Sequence, residues 1–436
     1  MTRLLGSVVV SLLLTGIAGI TPAAAAPPPS GTFSVLSYNI AGLPEGLSSG
    51  HPEANTPVIG QRLGPYDIVA VQEDFNYHAS LYANDTHPHR TPTSGGAGFG
   101  DGLNLLSDFP YADLTRDDWD ACNGTDCLTP KGFTWSRIRL AEGVVIDFYN
   151  LHPNAGTTDA DLAARRANIS ELSAFIAANS AGNAVVVAGD TNTRYTRTGD
   201  NIRDLVSANG LTDAWVQEER GGTPPAAGST PLVCEDATVS DACEVVDKIL
   251  YRGNRYISLS LTRYGNENAA FRTAGDEMLS DHYPIAAEFR WTLNPALSLS
   301  DAFGGPHGTP FTDVDSVGQR ATRVSLRAGT RVDQVGLTLA DGTSRTHGGT
   351  GGTAQELTLA AGEYVTSVTL HSGQKDGRTR IFYIRFTTST GRTLTGGTPT
   401  ADTVTYTAPA GFQLAGFHGR SGSEVDKLGL IFTRLP

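Results

Sequence analysis

Ala184-Val185-Val186-Val187-Ala188-Gly189-Asp190-Thr191-Asn192 is the stretch from which the fold of this chain is read. Its first five residues are apolar without polar alternation, so they read as a short strand buried on both faces. Gly189 to Asn192 then marks where the strand ends and a loop begins. Alone, that string equally fits an Asx-turn, which is common after buried strands. Two distant strings share its setting. Val71-Gln72-Glu73 closes the apolar run from Ile68, and Ser280-Asp281-His282 stands just before the run from Pro284. Strand ends on one edge of a sheet converge in space however far apart they lie in sequence.

Together the three strings offer carboxylates, an amide and an imidazole. These groups can hold a hard divalent cation, deprotonate a water and orient a phosphate. The chemistry they imply is that of a metal-dependent phosphoesterase.

Further strands are expected over residues 33–38, 67–71, 245–251 and 284–291, with a hairpin over 133–140 and 144–149 turning at Glu142-Gly143. Leu162, Ile169, Leu172 and Ile176 recur near helical spacing and predict a helix over 161–178, with Asp159 or Asp161 near its start. A short helix is expected over 201–208. Mixed strands with few helices suggest an α/β sandwich, two sheets covered by helices. After Trp291 the composition changes to short strands between Gly/Thr/Ser turns, with no helix candidate, which predicts an all-β module. The expected units are 31–291 and 297–436, joined by a connector at 292–296.

Residues 1–26 have the pattern of an export signal: Arg3, an apolar run, then Ala23 to Ala26. A retained anchor is the competing reading, but the run is short of the ~20 residues a span needs. The mature protein is therefore expected to be secreted. Cys122/Cys127 and Cys234/Cys243 are two close pairs, which in an exported chain suggest local disulfides; zinc is the competitor. The net charge of −13, with only Lys131, Lys248, Lys375 and Lys427 as lysines, argues against a large basic nucleic-acid footprint. It does not exclude a nuclease, because a bound cation can offset phosphate repulsion locally.

Six strings run in order through the first unit: Tyr38-Asn39, Gln72-Glu73, Asn150-Leu151-His152, Gly189-Asp190-Thr191-Asn192, Val246-Asp247-Lys248-Ile249 and Ser280-Asp281-His282. In them the unit resembles the endonuclease/exonuclease/phosphatase superfamily, which includes DNase I-like nucleases and neutral sphingomyelinases. The resemblance implies a four-layered α/β sandwich with its site at one edge of paired sheets. It implies that Asn39, Glu73 and Asp281 hold Mg²⁺, or alternatively Mn²⁺ or Ca²⁺. His282 would be the general base, oriented by Asp247. Asp190 would position the attacking water, Asn192 would bind a phosphoryl oxygen, and His152 would stabilise developing charge or assist the leaving group. His152 and the pair Lys131-Gly132 point toward the sphingomyelinase-like branch.

The second unit opens on Phe303-Gly304-Gly305-Pro306-His307-Gly308 and nearly closes on Gly422-Ser423-Glu424-Val425-Asp426. In these it resembles a jacalin-like lectin domain, implying a β-prism and a sugar site at Gly304, Gly305, Gly422, Ser423, Glu424 and Asp426. Ser423 and Glu424 stand where such sites often place an aromatic. The leading expectation is a secreted phospholipase C-type phosphodiesterase acting on sphingomyelin or a related phospholipid, targeted through carbohydrate and in transient contact with a membrane. An extracellular DNase I-like nuclease, which alone would bring nucleic acid as a partner, is the alternative. From another class, the chain would be a lectin with an inactive first domain.

Overall fold

In strand β1 (Ser30–Asn39), Phe33 and Val35 point to one face while Leu36 and Tyr38 point to the other, and all four are buried. Strand β2 (Ile68–Gln72) repeats this: Ile68 and Ala70 join one core, Val69 and Val71 another. Strands covered on both faces cannot alternate apolar with polar, which is why these runs are continuous. The computed structural model describes residues 27–95, 99–316 and 318–435. The expected export signal, 1–26, lies outside the described residues.

Two six-stranded sheets pack face to face. One runs in the order β11 (Ile257–Asn266), β12 (Ile285–Leu293), β1, β2, β4 (Asn104–Ser107), β3 (His89–Arg90). The other runs β5 (Tyr111–Asp118), β6 (Gly132–Ala141), β7 (Val144–Leu151), β8 (Val185–Asp190), β10 (Asp247–Arg252), β9 (Thr212–Asp213). Helices α1 (Pro52–Arg62) and α2 (His78–Asn84) cover the first sheet, placing Ile59 and Leu81 against Leu36, Tyr38, Val69 and Val71. On the second sheet, α3 (Asp159–Asn179) presses Ile169, Leu172 and Ile176 into the main core, with α4 (Ile202–Ala208) and α5 (Ala214–Glu219) beside it. This is the helix–sheet–sheet–helix sandwich the resemblance implied.

Asp159 and Asp161 both lie in the first turn of α3, as expected. Thr158 is its N-cap: its hydroxyl accepts from Asp161 N, and the Asp161 carboxylate accepts from Thr158 N at 3.0 Å, a reciprocal capping box. Helix α1 was not anticipated, because Pro57 inside it masks the pattern; burial of Ile59 outweighs the lost hydrogen bond. The connector at 292–296 is tied to the sandwich. Strand β12 runs on to Leu293, whose N–H donates to Pro29 O, and Asn294 N donates to Tyr256 O, both at 2.8 Å. No helix among the described residues is long and apolar enough to cross a membrane.

From Leu297 on, three sheets of five, four and four strands wrap one core that includes Val324, Leu337, Val368, Ile384, Phe386, Phe417 and Leu430. This is the expected β-prism. It is not hung on a tether: Leu297, Val314 and Ile431 enter the main core of the sandwich. A polar clamp adds to this contact. Asp113 sits at a register shift between β5 and β6 with φ 59°, a left-handed conformation unusual for a residue with a side chain. That twist brings its buried carboxylate to Lys427 Nζ at 2.5 Å and within 3.8 Å of Arg420 Nη1. Arg420 also lies over the Trp135 ring, 5.3 Å from its centroid. Asp113→Ala strands two buried cations without their counter-charge. Its unfolding free energy should fall by about 3 kcal/mol in urea denaturation; an unchanged midpoint would reject the clamp.

Candidate active site

Strand direction brings the distant strings together. β1 and β2 are parallel with Asn39 opposite Gln72, and β7 and β8 are parallel with Leu151 opposite Gly189. Their C-terminal ends therefore share one edge. β10 runs antiparallel to β8 with Asp247 opposite Asp190, and β12 antiparallel to β1 with Ile285 opposite Ser37, so the residues entering both strands arrive at the same edge. β8 can hug β7 because position 189 is glycine: a Cβ there would lie 2.4 Å from Leu151 O. Below the edge, Gln72 Nε2 donates to Asn150 Oδ1 at 2.7 Å, and Asn150 Nδ2 donates to Val71 O and Asn104 O. These buried amides bolt the two sheets together directly under the site.

The Asn39 amide sits between two carboxylates, with Nδ2 3.0 Å from Glu73 Oε1 and 3.2 Å from Asp190 Oδ2. His152 Nε2 faces the same two groups at 3.5 and 3.4 Å. Asn192 N donates to Asp190 Oδ1 at 2.8 Å, and Asn192 Nδ2 lies 3.2 Å from Asp190 Oδ2. His282 Nδ1 meets Asp247 Oδ2 at 3.0 Å, which leaves Nε2 aimed at Asp190 Oδ2, 3.6 Å away. Glu73 and Asn192 both adopt positive φ, 58° and 51°. Such strain persists where the surroundings over-determine a residue.

Burial pushes the Glu73 carboxyl up, against the pull of Lys131 and the Asn39 hydrogen bond. Burial also raises Asp190; His282 opposes this and the Asp247 charge adds to it. For His152, burial drives the imidazole well below its ordinary range, helped by Lys131 and His282. His282 goes the other way. Burial disfavours its charge, but Asp247 and Asp190 outweigh burial and hold the imidazolium well above the ordinary range. The two histidines of one cleft are thus shifted in opposite directions.

Asp281 stands apart from the other expected ligands. It is exposed, and its Oδ2 accepts from Ser49 Oγ at 2.6 Å. The donor set itself suits a hard cation. Asp190, Asp247 and His282 each offer a ligand atom, all within 4.8 Å of one another. Glu73 and Asn39 adjoin them, and buried like charges at this spacing call for a positive partner. Asp247 Oδ1 is buried with no hydrogen-bond partner, as an unused acceptor facing an ion would be.

Lys131 belongs to the site although sequence reasoning gave it no role. Its Nζ is 3.1 Å from His152 Nε2 and 2.8 Å from Asp126 Oδ1. Its adjacency to Gly132 was the available signal. Arg194 and Arg197, just beyond Asn192, are used internally. Arg194 donates to Glu244 O, while Arg197 donates to Asn192 O and pairs with Asp200, both at 2.9 Å. Both cysteine pairs are disulfides, Cys122–Cys127 and Cys234–Cys243. They staple the loops that lead into Lys131 and Asp247.

In the prism, Gly305 N donates to Asp426 O at 2.9 Å, so the glycine loop lies against Asp426. Gly422 and Ser423 are exposed, Glu424 is half-buried and Asp426 is buried. The structure brings Gly304, Gly305 and Asp426 together as the sequence pattern implied.

An α/β sandwich of two six-stranded sheets, with a polar cleft at one edge, joined to a three-sheet β-prism is the class that this fold defines. Residues 55–218 match the endonuclease/exonuclease/phosphatase family 2 model, and residues 300–431 match the jacalin-like lectin domain model. Each of the two parts is thus similar to one of these domain kinds. It is 42% identical over 277 residues to a sphingomyelinase of Mycobacterium tuberculosis, a match covering 61% of this chain and 54% of that protein. The chain thus spans about half the length of this relative. Horcolin of Hordeum vulgare is 29% identical over 135 residues, 30% of this chain and 92% of its own. The crystal structure of sphingomyelinase C from Streptomyces griseocarneus aligns with 59% of this chain and 99% of its own, at 18% identity and a TM-score of 0.42.

Asn150→Ala removes the amide that bridges the sheets and takes one partner each from Gln72 Nε2, Val71 O and Asn104 O in a dry interior. The loss should be about 2 kcal/mol of stability. Calorimetric unfolding at the wild-type melting temperature would reject the bolt.

Proposed function

We propose that this chain is a secreted, Mg²⁺-dependent phosphodiesterase that releases the phosphorylated headgroup of sphingomyelin or a related phospholipid, guided by its lectin domain to glycosylated surfaces. The observation that carries the lipid assignment is the position of the exposed large apolar side chains. Among the described residues these are Leu47, Phe99, Leu128 and Val233. Every one sits on a loop at the catalytic edge. Leu47 lies in the segment after Asn39 that also carries Ser49, and Leu128 is on the stapled loop leading into Lys131. Phe99 packs on Phe75, just beyond Glu73, with ring centroids 6.0 Å apart. Val233 precedes Cys234 on the loop leading to Asp247. Apolar side chains around a phosphodiester site suit an acyl-chain boundary and not a nucleic-acid backbone. The similarity to a protein named sphingomyelinase supports the same substrate.

With the carboxylate charge that holds His282 protonated offset by a bound cation, the neutral ring, fixed by Asp247 through Nδ1, would take the proton of the attacking water at Nε2, with Asp190 orienting that water. Asn192 donates to a phosphoryl oxygen. Lys131 and His152 stand together where they can stabilise negative charge on the phosphorane or leaving oxygen. Glu73, Asn39 and Asp281 would hold Mg²⁺, Asp281 reaching it through water or after moving inward. When bound, the cation supplies Lewis-acid charge at the phosphate and offsets the crowded carboxylates. The lectin domain raises the local concentration of substrate by tethering.

Purified mature protein with Mg²⁺ should release phosphocholine from sphingomyelin vesicles, and His282→Ala should lose roughly 10³-fold or more of that rate. Cleavage of double-stranded DNA without headgroup release would establish the nuclease instead. Replacing Leu47 and Leu128 together by Asp should lower turnover on vesicles at least about tenfold. Hydrolysis of bis-p-nitrophenyl phosphate in solution should be unchanged; an equal loss on both substrates would reject the apolar rim as a lipid contact.

A further inference from the structure

The cleft beside Asp426 is closely walled. A Cβ on Gly305 would lie 2.4 Å from Thr379 O, and one on Gly308 would lie 2.5 Å from Asp426 Oδ2. The third wall is therefore the start of the strand Arg378–Thr388, and it contributes Arg380. Arg380 Nη1 lies 3.3 Å from Glu424 Oε2 and 3.4 Å from Asp426 Oδ1. Glu424 already has a full partner: Arg331 forks onto it, Nε to Oε2 at 2.8 Å and Nη2 to Oε1 at 2.5 Å. Arg380 is thus not needed to neutralise Glu424. Its Nε is buried with no hydrogen-bond partner, and so is Asp426 Oδ1. Two more cations, Lys375 and Arg378, stand exposed on the adjoining hairpin tip.

A neutral sugar needs acceptors and donors but no cation. A guanidinium against Asp426 even competes with sugar hydroxyls for that carboxylate. An anionic group on the ligand resolves both mismatches, because it draws the guanidinium to itself and frees Asp426 Oδ1 for hydroxyls. Arginine is suited to this role, since its planar fork matches carboxylate and sulfate oxygens. On the reading of this loop as a glycan site, we propose that its ligand is an acidic glycan. Arg380 pairs with a carboxylate or sulfate of the sugar, and Asp426 accepts from neighbouring hydroxyls.

Titration calorimetry on the full chain with 3′-sialyllactose, a sulfated heparin disaccharide, lactose and methyl α-mannoside tests this directly. One or both acidic glycans should bind at least about tenfold tighter than the neutral ones, by a margin that shrinks with added salt. Tighter binding of sialyllactose assigns a carboxylate, and of the disaccharide a sulfate. Arg380→Gln should abolish the preference and Arg380→Lys should retain part of it; the lysine variant also serves if the glutamine variant does not fold. Equal affinity for neutral and acidic sugars, or a preference that survives Arg380→Gln, overturns the acidic ligand while leaving a glycan site. Absence of binding to all four overturns the glycan reading as well.

Discussion

Crowding of buried negative charge governs the catalytic edge of this protein. Glu73 and Asp190 share one amide of Asn39 as their bridge, and Asp247 holds the imidazole that faces Asp190. In a site this dry, carboxylates so close repel strongly and their charged forms are disfavoured. Lys131 and His282 offset part of the charge, and a bound dication would offset the rest. The scaffold bears the residual strain. Glu73 and Asn192 are held with positive φ, above an amide bolt that locks the two sheets. Pre-organisation is expensive at this edge because the chemistry needs its charges in place before substrate arrives.

The prism is built onto the sandwich as a fixed part. Its strands send Lys427 and Arg420 to Asp113, and Leu297, Val314 and Ile431 into the shared core. The clamp residues lie away from the catalytic edge: β6 carries Gly132 at that edge, while its far end reaches the prism through Arg139 and Asp301, 2.7 Å apart. The polar cleft and the prism loops can therefore be altered independently, while the orientation of one to the other is set by packing and not by linker length.

Much of this was legible in the chain. Continuous apolar runs announced strands buried on both faces, and the polar residues that follow them announced the site, because a strand end is where a buried element first meets solvent. Short cysteine spacing anticipated both staples. The capping residue Thr158 and helix α1 were missed for opposite reasons. A reciprocal cap hides among other polar residues, and a proline-bearing segment becomes helical only because the sheet beneath it rewards burial of Ile59. Lys131 was noticed without a role, since nothing local says that its ammonium will lie against His152.

The sequence by itself determined which polar groups stand at the strand ends and that an α/β part precedes an all-β part. Both depend on residue type and local period: carboxylate, amide and imidazole at strand ends, then glycine-rich β segments. Tertiary structure alone decided which charges meet. Asp281 stays exposed on Ser49, Lys131 joins His152, and Arg380 reaches Asp426 from a strand nearly fifty residues earlier in the chain. Electrostatic interaction depends on distance and desolvation in three dimensions, and strand pairing sets these between segments whose separation along the chain carries no information about either.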